Sequence, residues 1–158
     1  MLKKNWCRPL FGRKNQKNKW WFFLKSKETF DCIFIDGLHS YNQVKKDIVN
    51  SLKSLNQNGV IFIHDCLPNN ILDQAIPRPK FIWNGDVWKA IVEFRTLDYV
   101  DTYTCNADMG IGIILKRKNK KKLNLDIKDF SKLKFSDYFK NFKEYMNIIE
   151  YNEMENLF

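Results

Sequence analysis

Two short runs of uninterrupted apolar residues, each closed by acidic or imidazole side chains, frame the chain. Cys32-Ile33-Phe34-Ile35 ends at Asp36-Gly37, and Val60-Ile61-Phe62-Ile63 ends at His64-Asp65. Continuous apolarity predicts strands buried on both faces, as in a parallel sheet covered by helices. Between the runs, Tyr41, Val44, Ile48, Leu52 and Leu55 recur at three- and four-residue spacing, with Lys45, Lys46 and Lys53 on other faces. That is one apolar stripe on a helix. Ser40 with Gln43 at the third position reads as a capping box that starts it. Asn58-Gly59 reads as its stop. Strand, helix, strand predicts a βαβ unit with Ile33 and Ile61 on neighbouring parallel strands and a right-handed crossover.

Further on, residues 67–84 hold Pro68, Pro77 and Pro79 and read as a long loop. Asp86 is placed to cap a helix carrying Val87, Trp88, Ile91, Val92 and Phe94. Two more strands are predicted, near residues 99–104 and at residues 110–115. From Asp126 the tail reads as helical, with Phe130, Leu133, Phe139, Phe142, Tyr145, Met146 and Ile149 available for packing. Residues 20–28 read as a short helix, and residues 1–19 as a basic segment without periodicity.

Charge changes this picture at one place. The net charge is +9, from 27 Lys and Arg against 18 Asp and Glu. Residues 1–27 contain nine of those basic residues and none of the acids, so the remainder is neutral. The excess belongs to the first segment, and a nucleic-acid partner is not expected of the fold. Lys116-Arg117-Lys118-Asn119-Lys120-Lys121-Lys122 reads as a solvated linker. No apolar run approaches the ~20 residues of a membrane span, and Trp20-Trp21-Phe22-Phe23-Leu24 lacks a signal-peptide cleavage site. The expected location is the cytoplasm. Cys7, Cys32, Cys66 and Cys105 lack the spacing of a zinc or redox motif, and Cys32 reads as a reduced buried thiol.

The only two histidines both lie in strand-end motifs, Asp36-Gly37-Leu38-His39 and His64-Asp65. In open parallel sheets, ligands bind beyond the carboxyl ends of the strands. Strands ~4.8 Å apart bring side chains from two such ends within reach of one ion. Asp36, His64 and Asp65 therefore form a candidate metal triad. The alternative is that the two aspartates cap the following segments and His64 is an ordinary sheet-end residue. Carboxylates suit Mg²⁺, and an imidazole tilts the choice towards Mn²⁺, Fe²⁺ or Zn²⁺.

These residues resemble a known family. Phe30-Asp31-Cys32-Ile33-Phe34-Ile35-Asp36-Gly37-Leu38-His39-Ser40-Tyr41 is similar to the fourth-strand motif of a class I S-adenosylmethionine (SAM)-dependent methyltransferase family, and Gly59-Val60-Ile61-Phe62-Ile63-His64-Asp65 to its fifth. Trp83-Asn84-Gly85-Asp86-Val87-Trp88-Lys89 resembles the helix start that follows, and Met109-Gly110-Ile111-Gly112-Ile113-Ile114 the last strand. The resemblance implies an α/β fold: a partial Rossmann-like methyltransferase sheet with helices on both faces and a helical C-terminal tail. It divides the chain into the basic, disordered segment 1–19, a truncated methyltransferase-like domain over 20–116, and a basic linker and helical tail over 117–158. By position it implies Asp36 and Asp65 as metal ligands with a neighbour, His64 or Cys66, and His39 as general base. His39 as a brace for the turn is the competing role. The implied enzyme transfers a methyl group from SAM to a hydroxyl of a small molecule or sugar, with Mg²⁺ or Mn²⁺ orienting that hydroxyl. Residues 67–83 would shape the acceptor pocket, while Trp83 and Trp88 read as packing residues.

The glycine-rich turn that holds SAM in this family is not found. Gly12 follows no apolar strand, and Gly110-Ile111-Gly112 lies in a late strand. The expectation is a carboxyl-terminal half whose cofactor side is missing, with residues 1–19 as unrelated sequence and an exposed sheet edge open to self-association. Three functions stay open: a fragment inactive alone, a SAM enzyme completed by a partner, and a small basic nucleic-acid-binding protein.

Overall fold

A computed structural model describes residues 28–158 of the chain. The expected segment 1–19, the expected helix at 20–28 as far as residue 27, and Cys7 lie outside the described residues. The elements are β1 (Phe30–Ile35), α1 (Tyr41–Ser54), β2 (Leu55–Ile63), α2 (Trp88–Arg95), β3 (Asp101–Cys105), β4 (Ile111–Leu115), a 3-10 turn (Phe130–Lys132), α3 (Phe135–Met146), β5 (Ile148–Ile149) and a closing 3-10 segment (Tyr151–Leu157).

The first two apolar runs pair in parallel with Ile33 opposite Ile61 and Ile35 opposite Ile63. Their carboxyl ends therefore stand side by side. The sheet is mixed, in the order β1-β2-β4-β3-β5. β4 lies antiparallel to both β2 and β3, and β5 runs parallel to β3. This is a mixed α/β sheet of Rossmann-like type.

The alternation along the strands divides the core. Ile33, Ile35, Ile61, Ile63 and Ile114 point to one face, where α1, α2 and α3 lay Val44, Ile48, Trp88, Ile91, Tyr138 and Met146 against them. Truncating a buried isoleucine here to alanine costs about 2–5 kcal/mol. Val60, Cys105, Ile113 and Leu115 point to the other face, covered by Met154 and Leu157 of the closing 3-10 segment. The tail docks through the buried Arg95, which donates to the carbonyls of Lys121 (2.6 Å) and Glu144.

The structure corrects four local expectations. First, α1 ends at Ser54, before Asn58-Gly59. Lys116 Nζ reaches its last carbonyls, at 2.9 Å from Leu52 and 2.7 Å from Leu55. Leu55 already pairs with Phe30, and Asn58, with φ at 63°, sits in the irregularity before Val60 pairs with Cys32. Second, Lys116 and Arg117 are thereby structural and not part of a solvated linker. Arg117 bonds Asp101 (3.0 Å) and the Leu157 carbonyl (2.7 Å). Third, Phe139 and Phe142, expected to pack, are 66% and 37% exposed. The stripe of α3 that meets the core runs through Tyr138, Tyr145 and Met146 instead. The tail also contains β5, a two-residue strand too short to show a period.

Fourth, the capping is exchanged between segments. Ser40 occupies the N-cap of α1 without a side-chain bond, and Gln43 turns to Asp47. The Asp86 carboxylate accepts the Tyr41 N–H at 2.6 Å instead. Asp86 thus caps α1, not the helix that follows it in sequence, which begins at Trp88 with Val87 as N-cap. An ionised acceptor at a helix amino terminus is the stronger form of this bond. Asp86→Ala is therefore expected to lower stability by about 1–2 kcal/mol, and Ser40→Ala to leave it nearly unchanged, in urea unfolding. A larger loss for Ser40→Ala would reverse the assignment.

Candidate metal centre

The strand ends deliver their side chains to one spot. Ile35 accepts the His64 N–H at 3.0 Å, which ties the ends of β1 and β2 together. Asp36, His64 and Asp65 then offer one ligand atom each within 4.8 Å of one another. Bonds of ~2.1 Å place opposite ligands of one ion about 4.2 Å apart, so the oxygen, nitrogen and oxygen donors fit a divalent cation with little movement. Asp65 is nearly buried and holds a left-handed backbone, with φ at 63°. Aspartate tolerates that conformation better than most residues.

His39 joins the same cluster. Its Nε2 lies 3.2 Å from Asp65 Oδ2 and 3.5 Å from Asp36 Oδ1. Its Nδ1 lies 3.1 Å from the Trp83 carbonyl, which only accepts, so Nδ1 carries the hydrogen. Nε2 faces the Asp65 and Asp36 carboxylates, which also only accept, so it is the ring atom that holds or releases a proton towards the cluster. The Trp83 ring stacks on His39 at 5.2 Å. Trp83 therefore braces the site, while Trp88 is wholly buried.

Sequence reasoning missed Asp108, in the turn between β3 and β4. Its Oδ2 accepts from His64 Nε2 at 2.7 Å, while His64 Nδ1 faces Asp65 Oδ2 at 3.1 Å. A carboxylate behind an imidazole fixes which ring nitrogen faces an ion. Burial opposes charge on His64, but the bond to Asp108 and the charges of Asp65 and Asp36 outweigh it and raise its pKa. Burial also pushes the Asp65 carboxyl up, His39 and His64 pull it down, and Asp36 pushes it up, leaving it above its ordinary value. The signal for Asp108 lay in no local motif; the turn that presents it is positioned by Cys66 and Leu67 donating to Gly110 and Met109.

Cys66, the alternative ligand, is buried with its thiol directed at the Ile63 carbonyl at 3.3 Å. Burial pushes that thiol well above its ordinary value. It stands outside the cluster.

The loop behind the site is held by Asp73. Its carboxylate takes the Asn69 N–H and the Asn70 amide and pairs with Lys80. Its carbonyl takes the N–H groups of Asn84 and Gly85, both at 2.9 Å. Burial alone would raise the Asp73 carboxyl, but Lys80, Asn69 and Asn70 hold it below its ordinary 3.8. A depressed carboxylate stabilises above the unfolded value, and that contribution fades as pH falls through the folded one. Acid below pH 3.8 is therefore expected to release this loop. The Trp83 indole N–H, now 2.6 Å from the Ala75 carbonyl, reports it by NMR. Asp73→Asn should remove that acid step, and persistence of the step would assign it elsewhere.

Gly110 and Gly112 build no cradle for a nucleotide. A Cβ on Gly110 would meet Leu67 at 2.5 Å, and one on Gly112 would meet Ile91 at 2.6 Å and Cys66 at 2.9 Å. The chain's own atoms already fill those spaces, so neither glycine leaves room for a cofactor's close approach. No described helix is long and apolar enough to cross a membrane.

A family model described as a methyltransferase domain matches residues 6–66. The matched stretch begins within the basic segment outside the described residues and carries β1, α1, β2, Asp36, His39, His64 and Asp65. A search of curated proteins found no match. This match and the Rossmann-like sheet on which those residues stand support a class I SAM-dependent methyltransferase family for this part of the chain.

Proposed function

We propose that the described residues form the acceptor-activating side of an O-methyltransferase, acting on a hydroxyl of a small molecule or sugar. The observation that carries this reading is the convergence of Asp36, His64 and Asp65 within 4.8 Å, with His39 Nε2 on the same carboxylates. Asp36, His64 and Asp65 would hold Mg²⁺ or Mn²⁺, the imidazole favouring Mn²⁺. Such a cation lowers the pKa of a bound hydroxyl and orients it. His39 takes the acceptor's proton at Nε2, because Nδ1 is committed to the Trp83 carbonyl. A proton held there lies 3.2 Å from the Asp65 carboxylate. Asp108 keeps His64 turned so that Nδ1 faces the cluster. SAM is the methyl donor by family, and no step involving it is assigned to the described residues.

The test combines two measurements on the full chain. Electron paramagnetic resonance follows Mn²⁺ uptake, and label from methyl-tritiated SAM is followed into hydroxyl acceptors with and without the cation. Uptake of one Mn²⁺ and cation-dependent transfer are expected. No uptake at millimolar Mn²⁺ removes the metal from the reading, and transfer to nitrogen acceptors alone removes the O-methylation.

A further inference from the structure

The loop between β2 and α2 turns large apolar side chains outward. Ile71, Leu72, Ile76, Phe81 and Ile82 are all exposed, Phe81 at 90% and Ile82 at 62%. Residues 76–82 are exposed without a break, and the run Ile76-Pro77-Arg78-Pro79-Lys80-Phe81-Ile82 contains two basic residues and no acid. An apolar cluster of this kind on a protein surface marks a contact with a membrane or another macromolecule. The exposure is built into the loop. Arg78 donates to the carbonyls of Lys80 (2.8 Å) and Phe81, and its guanidinium lies over the Phe81 ring at 5.6 Å and the Trp83 ring at 5.8 Å. Asp73, bonded to Lys80, and the Trp83 indole N–H hold the base. The tip thus stands on a fixed base whose inner end, Trp83, stacks on His39.

Charge selects the occupant. Asp73 neutralises Lys80, but Arg78 donates to carbonyls and so keeps its charge. Residues 1–27 add nine basic residues and no acid to a neutral remainder. A second copy of this chain would bring like charges together. A nucleic acid would answer the charge but leave the aliphatic side chains without an apolar partner. A bilayer with anionic headgroups answers both. Stable attachment to a membrane surface takes two signals, and an apolar insertion together with a basic stretch supplies them.

We infer that residues 76–82 dock on a lipid surface bearing anionic headgroups, with Phe81 and Ile82 entering the acyl boundary and Arg78 staying among the headgroups. The docking rests on the loop and its charge, not on the methyl-transfer reading.

Sedimentation of the full chain with vesicles, without metal or SAM, tests it. Binding is expected to vesicles of equal parts phosphatidylcholine and phosphatidylserine, and weaker binding to phosphatidylcholine alone. Phe81→Ser and Ile82→Ser are each expected to weaken it by about fivefold or more. Both side chains are exposed, so the fold is kept, and an unchanged Trp83 indole resonance checks the base of the loop. Phe139→Ser, which removes an exposed ring from α3, is expected to leave vesicle binding as it is. Absence of vesicle binding overturns the inference. Equal binding by the parent and both loop variants also overturns it and gives the attachment to residues 1–27 alone. Dimerisation that Phe81→Ser abolishes, in sedimentation velocity without vesicles, gives the loop to a second copy and overturns it as well. Vesicle binding that depends on Phe81 in a chain that takes up no Mn²⁺ and transfers no methyl group upholds the docking and removes only the proposed function.

Discussion

Asp65→Asn is expected to weaken Mn²⁺ binding by more than about a hundredfold. Loss of a group outside the coordination shell already costs about 10–100-fold, and Asp65 stands at the centre of the cluster. Its Oδ2 lies 3.1 Å from His64 Nδ1 and 3.2 Å from His39 Nε2. Asparagine keeps the shape and one acceptor but not the charge. Asp108→Asn, one step further out, is expected in the 10–100-fold range, and Cys66→Ser is expected to change nothing in Mn²⁺ binding. Stability separates a ligand from a structural residue here. Asp65 has a raised pKa in the fold, so without metal its ionised form opposes folding above the ordinary carboxylate value. The neutral amide lifts that penalty, and the thermal midpoint of the metal-free variant should not fall. Unchanged Mn²⁺ affinity in Asp65→Asn, by paramagnetic resonance titration, would place the ion elsewhere or nowhere.

Gly85→Ala is expected to lose about 2–6 kcal/mol of stability. Gly85 has φ at 68°, a region that strains a residue bearing a Cβ by about 1–3 kcal/mol. A Cβ there would also stand 1.8 Å from the His39 carbonyl oxygen and 2.7 Å from the His39 Cβ, and crowding of this kind adds about 1–3 kcal/mol. The backbone has little room to yield. Gly85 N–H is bonded to Asp73 at 2.9 Å and Asp86 N–H to His39 at 3.2 Å. Gly37, inside the motif that resembles the family, is the control. A Cβ there meets only Asp47 Oδ2 at 3.6 Å, an ordinary contact, so Gly37→Ala should stay within about 0.5 kcal/mol of the parent. Urea unfolding of both variants decides it, and equal stability for the two would remove the close approach as the reason for Gly85.

The part of the fold that could be read in advance is the part written in local periodicity. Continuous apolar runs placed β1 and β2, and their shared direction followed from the helix between them. That was enough to bring Asp36, His64 and Asp65 together, because Asp36 and His64 directly follow the two strands and Asp65 comes next. Features built by distant segments were not legible. Asp86 looked like the cap of its own helix, since nothing in the string shows that it lies nearer to Tyr41. The α3 pattern offered several aromatic residues, and only the partner surface decides that Tyr138 is buried and Phe139 is not. Asp108 carried no motif, because its role depends on a turn brought to His64 by β4 inserting beside β2. The end of α1 was misplaced for the same reason, as Lys116 arrives from far along the chain.

The borrowed cap on α1 has a consequence for the order of folding. The carboxylate at the head of this helix comes from 45 residues away, so a fragment covering only the first strand and helix begins its first turn without an anion. Loop closure over that span has an entropic cost before the contact forms. The opening turn of the helix and the turn at Gly85 should then acquire protection from hydrogen exchange together, late, and as one event.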